Sequence, residues 1–595
     1  MATYSTCEAQ RDTILLGDST KIYKEIQQYS KKSKFGSFLF GKIVKNQNQP
    51  IKKPIAKSKR KTYVNLSCKI IRSIKIHVLD PFGYSIKDTT IVPHSTFQKL
   101  GNKVHKCSTN LAIRNFLLFH SGDEFDPYRI EESERLIRQA SIFNDVSITP
   151  VCKKGEDSLD IIIWILDKWS ITGNITANPN RARINITEKN ILGLGHEFSN
   201  TFEYNKDFHL QAYSGIYSIN RIGNTFINAK ISAVDQSDGS ERRGLEVERP
   251  FYSPITKWAG GIAVGQSVIN DAYYLKSIDS IAGNNGIKYN DLDFFIARSF
   301  KLNQNGVNWN NQVTYKNLIT SVRSLSNRII NSGTLGDSLG IYKSRDYLMG
   351  MVALSVINYE RENYLFKFGE TEDIPVGSFY GIIAAIDHKN NSKYLGFRIG
   401  SAFRYSMGYL SILFEGGKYY DYGYTNPTIL NTEITYYSPL LSIGNWKIRQ
   451  FIKPRLTLGW NETLNKSLVL NDDGGIQGFS DNKLFGLNRT SIYLQTQAYA
   501  PWNLFGFKFG PILYFSAGAI SDNQSQLLKG TIYSSVGVGI LFKNEMLVWN
   551  AFEVSISIYP NVPESNNRYK VNAFRSVDFQ LNNLNIDKPV FVDFK

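Results

Sequence analysis

The residue types that most often carry chemistry in proteins are sparse in this sequence and lie far apart. The chain of 595 residues contains 4 Cys and 7 His. A zinc site built from pairs of close ligands needs short spacings, which Cys7, Cys68, Cys107 and Cys152 do not have. The histidines form no catalytic group, and no Gly-x-Ser-x-Gly nucleophile motif is present. The sequence therefore predicts no catalytic residue, no metal site, no cofactor and no enzymatic activity.

The last three cysteines could either form a disulfide or remain as thiols. An oxidising compartment would permit a disulfide among them, and simple burial of free thiols is the alternative.

A glycine-rich segment late in the chain is the main candidate for a functional contact. Residues 474–479 read Gly-Gly-Ile-Gln-Gly-Phe, and a strand-like stretch containing Ser516 and Gly518 follows. The central residues of the segment are Ile476, Gln477, Gly478 and Phe479. A neutral hydrogen bond between Gln477 and Ser516 is our hypothesis for how the segment is held. An ordinary glycine-rich hairpin loop is the alternative.

The elements that must position these residues are predicted to be strands. In 227–233 and in 552–558, apolar side chains alternate with polar ones, as expected when one face of a strand meets lipid and the other a water-filled lumen. The 34 Tyr, 36 Phe and 45 Gly are typical of transmembrane β-barrels. No apolar run approaches the roughly 18 residues of a membrane-spanning helix. Alternation alone also fits a soluble all-β protein.

Residues 68–169 have a different pattern, which predicts a small α/β unit in the order strand, helix, helix, strand, strand. A first helix is expected around Leu111. Asp126 offers an N-cap, followed by a first-turn proline, for a second helix over Tyr128–Ala140. The sheet is completed by strands over Phe143–Val151 and Leu159–Trp164.

The amino-terminal part is interpreted as 1–11, a remnant of a signal peptide, followed by 12–67, an amphipathic segment and a basic linker. Ile22, Ile26 and Tyr29 have helical spacing. Eleven Lys or Arg and no acidic residue lie between positions 31 and 61. This run is either a solvated linker or a surface attracted to anionic head groups. Nucleic-acid binding is not expected, because no recognised motif accompanies it.

Taken together, these stretches resemble the BamA/TamA superfamily, which assembles outer-membrane proteins and includes two-partner-secretion transporters. Residues 122–146 are similar to its polypeptide-transport-associated (POTRA) domain, and Asn190–Phe198 to the opening strand of its barrels. Residues 474–479 are similar to its lid loop. Gln477 replaces the arginine of the family motif, and Ser516 replaces the aspartate of its partner motif. A buried ion pair lost from both ends leaves no uncompensated charge.

The resemblance implies a mainly β protein. A transmembrane antiparallel β-barrel of about sixteen strands, at 170–595, would follow one POTRA domain at 68–169, and a lid loop would lie near 474–489. It implies a weak barrel seam between the first and last strands, formed by Gly193, Gly195 and Phe579. It also implies a client-binding strand edge in the POTRA domain, at Val146 and Ile148.

The expected function is then to assemble, insert or translocate other polypeptides at the outer membrane of a Gram-negative bacterium, with the POTRA domain in the periplasm. The expected partners are unfolded outer-membrane or secreted polypeptides and outer-membrane lipids, with periplasmic chaperones or accessory lipoproteins as further candidates. The alternative function is a structural or passive-pore barrel whose periplasmic domain docks partners.

Overall fold

The computed structural model of the protein describes most of residues 69–593. The predicted signal-peptide remnant at 1–11 and the segment at 12–67 lie outside the described residues, as do 594–595. The internal positions that are not described are 87, 89, 153–154, 179–180, 207–209, 238, 270–286, 303–306, 310–311, 332–342, 367, 422–425, 462–467, 472–473, 478, 480–483, 505–506, 545–551, 562–567, 574–580 and 582–583.

The first folded unit is a small α/β domain. Its elements are β1 (Ile70–Leu79), α1 (Thr96–Val104), α2 (Asn110–Arg114), α3 (Pro127–Gln139), β2 (Phe143–Val151) and β3 (Ser158–Asp167). The sheet order is β1-β3-β2, with β3 parallel to β1 and antiparallel to β2. Ile113, Ile130 and Ile163 are fully buried between the helices and the sheet.

The helix starts in this domain follow from local sequence. The Asp126 side chain caps α3 by accepting a hydrogen bond from the Tyr128 amide at 2.9 Å, and Pro127 occupies the first turn, as the sequence predicts. Helix α1 was not predicted. Its signal is a capping box in which Ser95 and Gln98 each accept a hydrogen bond from the other's backbone amide.

The remainder of the described chain is almost entirely β. Its strands are β4 (Ile171–Asn178), β5 (Arg181–Ile191), β6 (His196–Asn205), β7 (Leu210–Ile222), β8 (Ile227–Asp235), β9 (Glu241–Arg249), β10 (Trp258–Ile269), β11 (Ile287–Lys301), β12 (Val307–Trp309), β13 (Gln312–Thr314), β14 (Lys316–Asn331), β15 (Arg345–Asn363), β16 (Thr371–Asp387), β17 (Lys393–Tyr405), β18 (Gly408–Tyr420), β19 (Thr428–Tyr437), β20 (Leu441–Ile443), β21 (Trp446–Trp460), β22 (Leu468–Val469), β23 (Phe485–Gly486), β24 (Asn488–Tyr499), β25 (Asn503–Leu504), β26 (Phe507–Ser521), β27 (Tyr533–Asn544), β28 (Phe552–Ile558) and β29 (Tyr569–Ala573), with a 3-10 helix at Gln524–Gln526.

These strands form one antiparallel sheet that follows chain order from β4 to β29, and β29 and β4 are neighbours in its order, so the sheet closes into a barrel. The short pairs β12–β13 and β22–β23 stand apart from it. Among the described residues, paired Cα positions are seen between neighbouring strands along the sheet from β4 to β29. No paired positions are seen among them between β29 and β4. The predicted fold class is confirmed, a barrel preceded by a small α/β domain.

The predicted strand number is wrong. The sheet has about twenty strands rather than about sixteen, when β19 with β20 and β24 with β25 are each counted as one interrupted strand. The expected number applied the usual spacing of strands and loops in the resembled family to residues 170–595. Strands β4 to β9 are short, between 8 residues in β4 and 13 in β7, and compact turns join several of them, so six strands fit into residues 171–249.

The side chains alternate across the barrel wall as predicted. On β28, Val554, Ile556 and Ile558 are exposed on the outside, while the polar residues between them are buried on the lumen side. On β15, Leu348 and Val352 point outward in the same way. No helix in the described part of the chain is long and apolar enough to cross a membrane.

Candidate functional site

One end of the lumen is covered by helix α3 of the α/β domain, which is held by buried charges. Arg138 makes a bidentate pair with Asp373 on β16, at 3.0 and 2.8 Å, and these side chains are only 6% and 5% exposed. Glu134 accepts from Arg138 at 2.9 Å and from Arg361 on β15 at 3.4 Å. We call this set of contacts the mouth interface.

Arg135 extends the mouth interface. It donates to the Tyr252 carbonyl at 3.0 Å and lies 4.0 Å from the centre of the Tyr359 ring. Burial alone would lower the pKa of Arg135, but its pKa is raised above the ordinary value because Glu132 attracts and hydrogen-bonds the guanidinium. The guanidinium is therefore a permanent cation at the interface.

A second contact between domain and barrel involves two predicted seam residues. The structure places Gly193 and Gly195 in the turn between β5 and β6, not in the first strand of the barrel, so they do not form its seam. The Gly193 carbonyl accepts from the Thr109 amide at 2.8 Å, and a side chain at Gly193 would collide with the Cys107 carbonyl. This turn therefore needs glycine for close approach to the domain as well as for its positive φ of 75°. The third predicted seam residue, Phe579, lies outside the described residues.

The glycine-rich segment lies inside the barrel, against the lumen face of β24 to β28, and its Gly474 carbonyl accepts from Ser491 on β24 at 2.7 Å. We call residues 468–479 the lid. Ile476 and Phe479 are buried with Tyr559, and Gly478 lies outside the described residues. The Cβ that a residue other than glycine would place at Gly518 would lie 3.1 Å from Leu470 of the lid. Gly518 thus permits the lid to pack closely on β26.

The predicted pair of Gln477 and Ser516 meets in the structure through different atoms. The backbone amide of Gln477 donates to Ser516 Oγ at 3.2 Å, and the Tyr559 hydroxyl donates to the Gln477 carbonyl at 3.2 Å. The side-chain oxygen of Gln477 is buried and has no hydrogen-bond partner. Ser516 also shares a hydrogen bond of 2.7 Å with Ser535. The lid is therefore held here by its main chain, which explains how the contact tolerates glutamine at this position.

Residues 584–593 also lie inside the barrel, which the sequence did not predict. We call residues 584–593 the carboxyl-terminal segment. Leu584, Ile586 and Val592 are at most 3% exposed. No regular secondary structure forms in this segment, which contacts the lumen faces of strands from β9 to β19.

Lumen side chains bind the carboxyl-terminal segment through its backbone as well as through side chains such as Lys588, which pairs with Glu248 at 3.7 Å. Arg323 donates to the Pro589 carbonyl at 2.8 Å, and Asn431 donates to the Asp593 carbonyl at 2.9 Å. The Val592 amide donates to the Tyr394 hydroxyl at 2.9 Å. Asp293 orients Arg323 through bonds of 2.7 and 2.8 Å. Contacts of this kind recognise an unpaired main chain whatever its sequence.

An aromatic pocket in the lumen wall adds an apolar contact. Phe591 packs against Tyr347, Tyr394 and Tyr419 with ring-centre distances of 4.8, 4.9 and 5.7 Å. The carboxyl-terminal segment and the lid thus cover different parts of the lumen wall, the first on β9 to β19 and the second on β24 to β28. This arrangement binds a part of the protein's own chain through hydrogen bonds and aromatic packing.

The predicted client-binding edge is the last strand in the order of the domain sheet, β2. The side chains of Val146 and Ile148 point into the core, where they are 4% and 0% exposed, so any recognition at this edge would use backbone atoms and the alternate side chains. Its role in client binding stays a prediction.

The structure also brings together three potential metal ligands that spacing along the chain did not reveal. One ligand atom each from Asp80, His105 and Cys107 lies within 4.8 Å of the others. Cys107 is a free thiol, and Cys68 lies outside the described residues. Burial, with a hydrogen bond to Asp80, raises the pKa of the Cys107 thiol to about 12. The signal that sequence reasoning missed is an Asp just after β1 and a His-x-Cys just after a helix.

The sequence matches no family model, and no curated protein matches it. Similar solved structures include BamA from Haemophilus ducreyi lacking POTRA domains 1–3, with a TM-score of 0.32, 10% identity and coverage of 85% of this chain and 83% of that one. CdiB from Acinetobacter baumannii has a TM-score of 0.36 at 10% identity, covering 92% and 96%. CdiB from Escherichia coli has a TM-score of 0.41 at 8% identity, covering 94% and 98%.

Proposed function

We propose that the protein is an outer-membrane barrel that assembles, inserts or translocates other polypeptides, with the α/β domain in the periplasm. The observation that carries the proposal is the carboxyl-terminal segment bound in the lumen through its main chain by Arg323, Tyr394 and Asn431. A wall that binds one irregular polypeptide by backbone groups can bind another of different sequence. The clients are unfolded outer-membrane or secreted polypeptides.

In this proposal the carboxyl-terminal segment occupies the client path at rest and leaves it during transport. The clients first meet the α/β domain at its strand β2. A seam between β4 and β29 then offers strand edges, which must be paired within a membrane and can template a client strand. No step requires covalent chemistry or a nucleotide.

The test is photocrosslinking in cells with a photoreactive residue at Thr149 on β2 or at Asn431 in the lumen. Val352, which is 55% exposed on the outer face, is the matched control because it should meet only lipid. We expect unfolded polypeptides to be captured at the first two positions. A chain ending at residue 583 should increase capture at Asn431.

A passive pore would give a different result. It predicts ion conductance once the segment is removed, with no polypeptide captured at Thr149 or Asn431. That result would overturn the proposal.

A further inference from the structure

Asp80, His105 and Cys107 meet at the end of the α/β domain that faces the barrel. Asp80 directly follows β1, and the other two residues lie in the connection between α1 and α2. Cys107 Sγ donates to Asp80 Oδ1 at 3.0 Å. The carboxyl end of the neighbouring parallel strand β3 supplies Asp167 to the same place. Three elements that are distant along the chain therefore contribute to one cluster.

His105 is arranged as metal-binding histidines are. Its Nε2 lies 3.1 Å from Asp167 Oδ2, while its Nδ1 is buried without a hydrogen-bond partner and the side chain is 1% exposed. Asp167 Oδ2 also accepts from the Ser108 amide at 2.7 Å, which fixes the carboxylate. A carboxylate that accepts the proton of one ring nitrogen leaves the other as a free lone pair, the usual outer support of a metal-binding histidine. A buried lone pair without a partner is rare in native proteins.

We propose that Asp80, His105 and Cys107 bind one zinc ion, with Asp167 as the residue that orients His105. A thiolate, an imidazole and a carboxylate together are ligands for zinc and similar divalent transition metals. Magnesium and calcium take oxygen ligands and would not use the thiol. The ion displaces the thiol proton on binding, so affinity rises with pH.

The position of the site gives it a structural role. The connection that bears His105 and Cys107 continues into Ser108, whose hydroxyl accepts from Asn190 at 2.9 Å, and into Thr109, which binds the Gly193 carbonyl. Both partners belong to the end of β5 and the turn that follows it. A zinc ion would tie this connection to the ends of β1 and β3, and so brace the contact between domain and barrel. The inference does not depend on what the barrel transports.

The experiment uses the full chain in detergent, stripped with a chelator and dialysed. Zinc content is measured after reloading, and cobalt(II) is added to a parallel sample. We expect one equivalent of zinc and, with cobalt, a thiolate-to-metal charge-transfer band together with the intense visible bands of a tetrahedral site. Absence of bound zinc and of the charge-transfer band in the wild-type chain would overturn the proposal without any variant.

The variants assign the ligands. Cys107→Ser and His105→Asn should abolish the charge-transfer band and lose the zinc, and Asp167→Asn should weaken zinc binding by about 10–100-fold. Cys152→Ser is the matched control, because Cys152 is the other cysteine in the described part of the chain and its sulfur accepts a hydrogen bond from Lys69 at 3.0 Å instead of facing the cluster. If Cys152→Ser removes the band and Cys107→Ser retains it, the assignment is wrong. Circular dichroism of each metal-free variant checks that the domain is folded.

Discussion

The barrel holds two parts of its own chain in different ways, at the mouth interface and along the lumen. At the mouth interface, charged side chains of α3 pair with charged side chains of β15 and β16, and Arg138 with Asp373 is nearly excluded from solvent. Along the lumen, side chains of the wall bind main-chain atoms of the lid and of the carboxyl-terminal segment.

The two kinds of contact differ in how easily one bound partner can be replaced by another. A buried ion pair fits one geometry, and removing one charge leaves the other uncompensated. A hydrogen bond to a carbonyl or an amide is available from every polypeptide. We infer that the mouth interface fixes the α/β domain in place, while the lumen contacts are suited to release one segment and accept another.

We expect the largest effect from a substitution that disrupts the mouth interface. Asp373→Ala leaves Arg138 buried beside Glu134 alone and should weaken docking of the α/β domain by about 3–5 kcal/mol. Hydrogen exchange of the α3 amides measures the release. Lys393→Ala is the control, because it removes an ion pair with Asp421 in which the two side chains are 62% and 68% exposed. Its loss should lower stability by at most about 1 kcal/mol. Equal exchange in the two variants would contradict a docking role for the buried pair.

The next effect concerns the carboxyl-terminal segment. Phe591→Ala removes the ring that three tyrosines surround and should cost about 3 kcal/mol of segment binding. We expect the segment to become accessible to carboxypeptidase and the barrel to conduct ions in planar bilayers. Phe591→Leu retains apolar volume and serves as the control. Unchanged protection of the end of the chain in Phe591→Ala would show that the aromatic pocket does not hold the segment.

A smaller effect separates main-chain from side-chain contacts in the lid. Ser516→Ala leaves the amide of Gln477 and the hydroxyl of Ser535 without this partner and should destabilise lid packing by about 1–3 kcal/mol. Gln477→Ala retains the backbone amide and should change the stability of lid packing by less than about 1 kcal/mol. The measurement is protease cleavage of the lid in detergent. A larger loss for Gln477→Ala than for Ser516→Ala would mean that the side chain holds the lid.

The smallest effect removes one main-chain contact from the carboxyl-terminal segment. Tyr394→Phe retains the ring that packs on Phe591 but deletes the hydroxyl that accepts from the Val592 amide. We expect a loss of about 1 kcal/mol, typical of one neutral hydrogen bond. The rate of carboxypeptidase digestion should rise less than in Phe591→Ala. A greater rise than in Phe591→Ala would show that the hydrogen bond contributes more to segment binding than the aromatic packing does.

Much of the fold was predictable from local patterns. Alternation around 552–558 identified which side chains face outward, and Asp126 with the following proline marked the start of α3. Helix α1 was missed although Ser95 and Gln98 form its capping box. The strand number implied by the resemblance was wrong because the first strands are short and several are joined by compact turns, so more strands fit into the chain.

The candidate site was predictable only in part. The glycine-rich sequence indicated the lid, and Gln477 was expected near Ser516, but the atoms that meet are those of the backbone. Gly193 and Gly195 were assigned to a strand, whereas they form a turn against the α/β domain. The glycine-rich lid and the turn at Gly193 and Gly195 were hard to interpret for the same reason. A glycine in a sequence indicates a close approach or a positive φ, but it does not indicate which part of the chain lies next to it.

The sequence by itself determined the architecture, since periodicity of two along each strand and capping at helix starts are local properties that survive without tertiary contacts. Only the tertiary structure decided what fills the barrel and which distant residues meet. The partners of 584–593 lie on strands far away in the sequence, and Asp80, His105 and Cys107 become neighbours only when β1 and the α1–α2 connection pack together. Contacts across long loops depend on the folded geometry of the whole domain, which local spacing does not contain.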